Sequence, residues 1–219
     1  MRYPYALFDL DGTIIDSGEG ITKSVQYSLR KLGIEEPDLA KLEVFVGPPL
    51  VYAYRRYFGM DENQAMQAVA YYRERYETIG IFECCPYEGI RELLAQLQSE
   101  GRRLIVASSK PEVFVRKIME HFHLAEYFSQ IVGATMDERL SDKPAIIREV
   151  FRRCGISEEE KRKTIMIGDR RYDIEGARST GIDSIGTYYG FAQPRELEEA
   201  GATYIVSSVN ELSELFSKI

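Results

Sequence analysis

Basic surface, paired cysteines and long apolar runs are all scarce in this sequence, and each shortage removes a class of function. Lysine and arginine total 28 against 35 aspartates and glutamates, a formal net charge of −7. Nucleic-acid binding depends on basic surface that releases counterions from phosphates, so a nucleic-acid polymer is not an expected partner. The same negative field cannot steer a small anion globally. An anionic ligand would need local features: a metal, a lysine, aimed backbone N–H groups. Three cysteines, two of them adjacent (Cys84, Cys85), make no disulfide framework, and no Cys/His spacing resembles a zinc site. They read as reduced packing residues. No stretch approaches the ~18 apolar residues of a membrane span. The strand-like run from Tyr3 to Leu10 leaves no room for a signal peptide, and the expectation is a soluble cytoplasmic protein without a membrane partner.

What is present is a chain of 219 residues, 44% hydrophobic and 29% charged, enough for one well-cored domain plus a smaller one. Short β-like runs occur at Tyr5–Phe8, Arg103–Ala107, Gln130–Val132, Thr164–Ile167, Asp183–Gly186 and Tyr204–Val206. From Leu104 onward they alternate with helical patterns, which predicts a parallel sheet wrapped by helices. Residues 17–86 break the alternation and read as helices only. Ile21, Val25, Leu29 and Leu32 mark one apolar face, and Ala65, Val69, Tyr72 and Tyr76 another. Pro48 and Pro49 are placed to open a helix at its first turn, and Asp61 with Gln64 to form a capping box. The expected organisation is an α/β core from 1–16 and 87–219, with an all-helical cap from 17–86 inserted after the first strand as a candidate lid.

Four runs carry chemistry. Phe8-Asp9-Leu10-Asp11-Gly12-Thr13 ends a hydrophobic strand, where open α/β sheets bind ligands. Residues i and i+2 of an extended chain face one side, so Asp9 and Asp11 converge, and two close carboxylates need a cation or a shared proton between them. Asp-Gly alone is as often a solvated turn. Val106-Ala107-Ser108-Ser109-Lys110 ends another strand, and a serine there can hold a phosphate oxygen or simply cap the helix that follows. Lys143, in Ser141-Asp142-Lys143-Pro144, precedes a helix with Ile146, Ile147 and Val150 on its apolar face. Such a lysine suits charge neutralisation, although most at helix starts are solvated. Ile165-Met166-Ile167-Gly168-Asp169 ends a third strand in acid, with Asp173 one helical turn later, a spacing suited to a shared cation. Oxygen ligands of this kind suit magnesium.

In this order the four runs resemble the haloacid dehalogenase superfamily, in particular its phosphatases of the phosphoglycolate phosphatase and 5′-nucleotidase-like kind, over nearly the whole chain. The resemblance implies a Rossmann-like parallel sheet core with helices on both faces and a helical cap. It implies a phosphoric monoester hydrolase acting on a small phosphorylated metabolite, monomeric or homodimeric, with Asp9 as nucleophile and Asp11 as acid and base. It further implies Mg²⁺ on Asp9, the Asp11 backbone carbonyl and Asp169, with Asp173 as ligand or orienter, Lys143 stabilising the phosphoryl group and Ser108 binding it. Ser109, Gly47 and Pro48 complete the expected substrate contacts. Arg170, where many relatives carry a small residue, either crowds the site or extends its positive lining. A phosphomutase of the same superfamily and a non-hydrolytic aspartate phospho-switch share most of these residues. A dehalogenase would have no use for Asp11 or the metal.

Overall fold

The structure, a computed structural model, describes residues 1–137 and 139–219. Among these the chain runs β1 (Tyr5–Phe8), β2 (Ile15–Asp16), α1 (Gly18–Lys31), α2 (Leu50–Phe58), α3 (Glu62–Tyr76), β3 (Cys85–Pro86), α4 (Ile90–Ser99), β4 (Arg103–Pro111), α5 (Glu112–His121), β5 (Gln130–Ala134) and α6 (Lys143–Cys154). It continues through α7 (Glu158–Lys161), β6 (Thr164–Gly168), α8 (Arg171–Thr180), β7 (Asp183–Thr187), α9 (Glu196–Ala200), β8 (Tyr204–Val206) and α10 (Val209–Phe216). Two units result. One joins Met1–Ile15 to Pro86–Ile219; the other is Asp16–Cys85.

The first unit is built on a parallel sheet in the order β5-β4-β1-β6-β7-β8, the α/β fold expected of these runs. Strands buried on both faces need continuous apolar residues, which Ala6, Leu7 and Phe8 or Ile165, Met166 and Ile167 supply. Alternate residues face opposite sides, so Leu7, Ile105, Val132 and Met166 pack with Ile146, Ile147 and Val150 of α6 and Ala177 of α8 in one core. Register then fixes the site. Phe8 pairs with Val106 on one side and Ile167 on the other, so Asp9 and Asp169 leave neighbouring strands at the same carboxyl edge, with Ser108 of β4 beside them.

One expectation for this unit changes. β4 runs on through residues 108–110 to Pro111, with a register irregularity between Ala107 and Pro111 that lets Pro111 pair with Ala134. Helix α5 starts only after Pro111 and has no side-chain cap, so neither Ser108 nor Ser109 caps it.

In the helical unit, Ile21, Val25 and Leu29 are buried along α1, while Leu32 lies just past its end and is half-buried. Ala65, Val69, Tyr72 and Tyr76 are buried along α3, whose start is the Asp61/Gln64 capping box. The two prolines stand outside α2 rather than in its first turn. Pro49 is extended, with ψ 135°, and the helix begins at Leu50. Several aromatic side chains of this unit are core: Tyr54 packs on Phe45 and hydrogen-bonds to Ser28, and Tyr72 stacks on Tyr76. Tyr52 and Tyr57 remain exposed.

Candidate active site

The site grows from the end of β1. The Asp9 N–H bonds to the Ile167 carbonyl at 2.9 Å, carrying the ladder one residue past the strand and locking Asp9 beside β6. Its Oδ1 accepts the Leu10 N–H at 2.7 Å and lies 3.1 Å from Lys143 Nζ. Asp11 has a different partner: Lys110 Nζ donates to both of its carboxylate oxygens at 2.8 Å, and the Asp11 charge adds to the rise that burial gives the Asp9 pKa. The two carboxylates thus have a lysine each. Lys110, passed over in the sequence although it follows Ser108 and Ser109, points where it does because the extended β4 sends residues 108 and 110 to one side. Ser108 is buried, its Oγ accepting the Lys110 N–H at 3.3 Å and its hydroxyl helping to lower the Asp9 pKa against the rise that burial causes, with Ser109 half-buried beside it.

Lys143 is not a solvated lysine. It occupies the first position of α6, where the Asp142 side chain caps the helix, and its stem lies over Gly176 of α8. A Cβ on Gly176 would come within 2.8 Å of Lys143 Cγ, so the glycine makes room for the lysine. The ammonium donates to the Ala107 carbonyl at 2.9 Å and sits between Asp9 and Asp173 Oδ1, the latter at 2.7 Å.

Asp169 is fully buried. It accepts the Phe191 N–H at 2.8 Å through Oδ2 and the Thr13 hydroxyl at 3.4 Å through Oδ1. Gly12, at φ +77°, lies so near that a Cβ would fall 2.1 Å from Asp169 Oδ2, so both its backbone angle and the contact require glycine. Asp173, at the third position of α8, accepts the Arg170 N–H at 3.1 Å. Arg170 Nε donates to buried Glu196 at 3.0 Å, and its positive charge also opposes the rise that burial gives the Asp169 pKa.

Ligand atoms of Asp9, Asp169 and Asp173 lie within 4.8 Å of one another, all buried. The charges are unbalanced, three carboxylates around one ammonium. Burial, reinforced by the Asp173 charge and opposed by Lys143, pushes Asp9 up to about 7. Burial raises Asp169 well above the ordinary carboxylate range, with the Asp173 and Asp9 charges adding to the rise. Burial disfavours the Lys143 ammonium, but Asp173 and Asp9 outweigh it and raise its pKa. A buried oxygen-only cluster with surplus negative charge suits a hard divalent cation. Of the expected residues, Asp9, Asp11, Ser108, Ser109, Lys143, Asp169 and Asp173 share this edge of the α/β unit; Gly47 and Pro48 belong to the helical unit.

A family model described as haloacid dehalogenase-like hydrolase matches residues 6–187. A 5′-nucleotidase of Pseudomonas aeruginosa is 43% identical over 215 residues, covering 98% of this chain and 96% of that protein. The protein named tyrosine-protein kinase PtkA of Mycobacterium tuberculosis is 32% identical over 210 residues, covering 95% of this chain and 70% of the kinase. The crystal structure of a predicted phosphatase from Clostridium acetobutylicum superposes with a TM-score of 0.95 at 48% identity, covering 99% of both chains.

Proposed function

The chain belongs to the haloacid dehalogenase-like hydrolase family and is one of its phosphatases, and from that premise we propose that it hydrolyses small phosphate monoesters with Mg²⁺ through a phosphorylated Asp9. The observation that carries this reading is the buried Asp9, Asp169 and Asp173 cluster around Lys143. With Asp9 Oδ1 engaged by the Leu10 N–H and Lys143, Oδ2 is the attacking atom. It bonds to phosphorus as the ester P–O bond breaks, and the departing alkoxide takes a proton from the Asp11 carboxyl. In the second half-reaction the Asp11 carboxylate takes a proton from water, whose oxygen attacks phosphorus, freeing Asp9 and inorganic phosphate.

Lys143 offsets the carboxylate charge that would otherwise repel the phosphoryl group, Ser108 donates to a phosphate oxygen beside Ser109, and Lys110 orients Asp11. Mg²⁺, held by Asp9, Asp169 and Asp173 with the Asp11 backbone carbonyl, would supply charge neutralisation for the transferring group. Among substrates, nucleoside 5′-monophosphates rank ahead of phosphoglycolate, on the likeness to the Pseudomonas 5′-nucleotidase. The name of the mycobacterial relative makes a tyrosine phenol the competing acceptor to test.

The test is phosphate release from a panel of monoesters with Mg²⁺ or EDTA, run with Asp9→Asn and with a tyrosine peptide plus ATP. Asp9→Asn should lose more than the roughly 10²–10⁴-fold expected of a general acid, and EDTA should abolish turnover. Near-wild-type release by Asp9→Asn refutes the nucleophile, and transfer to the peptide without ester hydrolysis refutes the hydrolase.

A further inference from the structure

Asp169 and Asp173 flank a tight turn, and the group that fixes this turn comes from far along the chain. Glu196, buried at the first position of α9, accepts through Oε1 from Arg170 Nε at 3.0 Å and from the Arg171 N–H at 2.8 Å. Through Oε2 it accepts the Gln193 N–H at 2.8 Å. Arg170 passes the constraint on, because its own N–H holds Asp173 Oδ2. On the other side, residues 191–196 supply the Phe191 N–H that holds Asp169 Oδ2. One carboxylate therefore ties the turn to the loop, and turn and loop each grip one carboxylate of the cluster.

Two features argue that this clamp does more than stabilise the fold. A buried ion pair such as Arg170–Glu196 is a weak stabiliser, since desolvating both charges offsets their attraction. The residue that aims Glu196, Arg195, adopts φ +67°, a costly left-handed conformation for a side chain other than glycine or asparagine.

We propose that Glu196 is a positioning residue for the cation site of Asp9, Asp169 and Asp173, holding two of the three carboxylates in the spacing a divalent ion requires. The inference rests on the magnesium reading of that cluster and deepens it. Partners that orient metal ligands, when removed, weaken metal affinity about 10–100-fold.

The experiment is calorimetric titration of Mg²⁺ into substrate-free protein: wild type, Glu196→Ala, Glu196→Gln, and Leu94→Ala as a control that opens a core cavity in α4. The Mg²⁺ Kd should rise about 10–100-fold in Glu196→Ala and by a smaller factor in Glu196→Gln, which keeps the shape and one acceptor oxygen. Leu94→Ala should bind as wild type does. If Glu196→Ala does not fold, Glu196→Gln decides, and an unchanged Kd there overturns the proposal. Equal weakening in Leu94→Ala also overturns it, by showing that any loosening of the unit has the same effect. Wild-type protein that takes up no Mg²⁺ overturns the magnesium reading and this inference together, a result distinguished by the first titration alone.

Discussion

Removing the Lys143 ammonium while keeping its stem, as in Lys143→Met, should destabilise the metal-free protein substantially. The lysine is 2% exposed and stands 3.1 Å from Asp9 and 2.7 Å from Asp173. At an effective dielectric constant near 20, each contact represents a gross attraction of about 5–6 kcal/mol. Desolvation of the ammonium, several kcal/mol, already offsets much of that, and removing one member of a buried pair typically costs about 3–5 kcal/mol because the partner charges stay behind. Methionine fills the same channel over Gly176, so little of the loss should come from packing. For a chain of this size 1 kcal/mol moves Tm by about 2–4 °C, giving an expected fall of about 6–20 °C in EDTA. Urea unfolding and calorimetry in EDTA would measure it. Adding Mg²⁺ should stabilise the variant more than the wild type, since the ion enters a cluster that has lost its resident cation. A variant within 1 kcal/mol of wild type in EDTA, or one that Mg²⁺ stabilises no further, would refute the account of Lys143 as the charge that makes the carboxylates tolerable.

Asp11→Asn should slow phosphorylation by alkyl phosphates more than by aryl esters, whose leaving groups need little protonation, and single-turnover rates with both ester types check it. Equal losses would remove Asp11 as the acid. Substitution of Gly47 or Pro48 should change relative kcat/KM across the monoester panel more than Mg²⁺ affinity; uniform loss across the panel would remove them from substrate selection. In the helical unit, Arg75 donates to Glu83 at 2.7 and 3.0 Å, and these bonds hold the Glu83 pKa below its ordinary value of 4.5. A depressed carboxylate contributes stability above 4.5 that fades as pH falls through its folded pKa. Glu83→Gln should therefore cost this unit about 1 kcal/mol at pH 7 and progressively less as pH falls below 4.5, read by hydrogen exchange of α1 and α3 amides.

The fold was legible because its signals are local. Apolar runs such as Ala6-Leu7-Phe8 and Ile165-Met166-Ile167 can be buried on both faces only in a parallel sheet, and the acids that end them necessarily lie at its carboxyl edge. The buried faces of α1 and α3 and the Asp61/Gln64 capping box were legible for the same reason, since residues three or four apart meet on one helix surface whatever surrounds them. Where a local signal had two outcomes, as for Ser108 and Ser109, which could meet a phosphate or cap the following helix, the neighbouring strand decided. The pairing of Pro111 with Ala134 extends β4, and that extension presents Lys110 to Asp11.

Partnership across long stretches of sequence belongs to the tertiary structure. Taken alone in the sequence, Lys143 could equally be a solvated lysine at a helix start, and it is a buried cation only because α6 packs on α8 at Gly176 and the Ala107 carbonyl of β4 receives its ammonium. Glu196 opens the short helix α9, and nothing near it in sequence points to the turn that it holds. The sequence determined which residues end each strand, because side-chain direction alternates along a chain by geometry alone. Which charge neutralises which was decided by strand order and helix docking, since a Coulombic pair depends on distance in space and on exclusion of water, and spacing along the chain specifies neither.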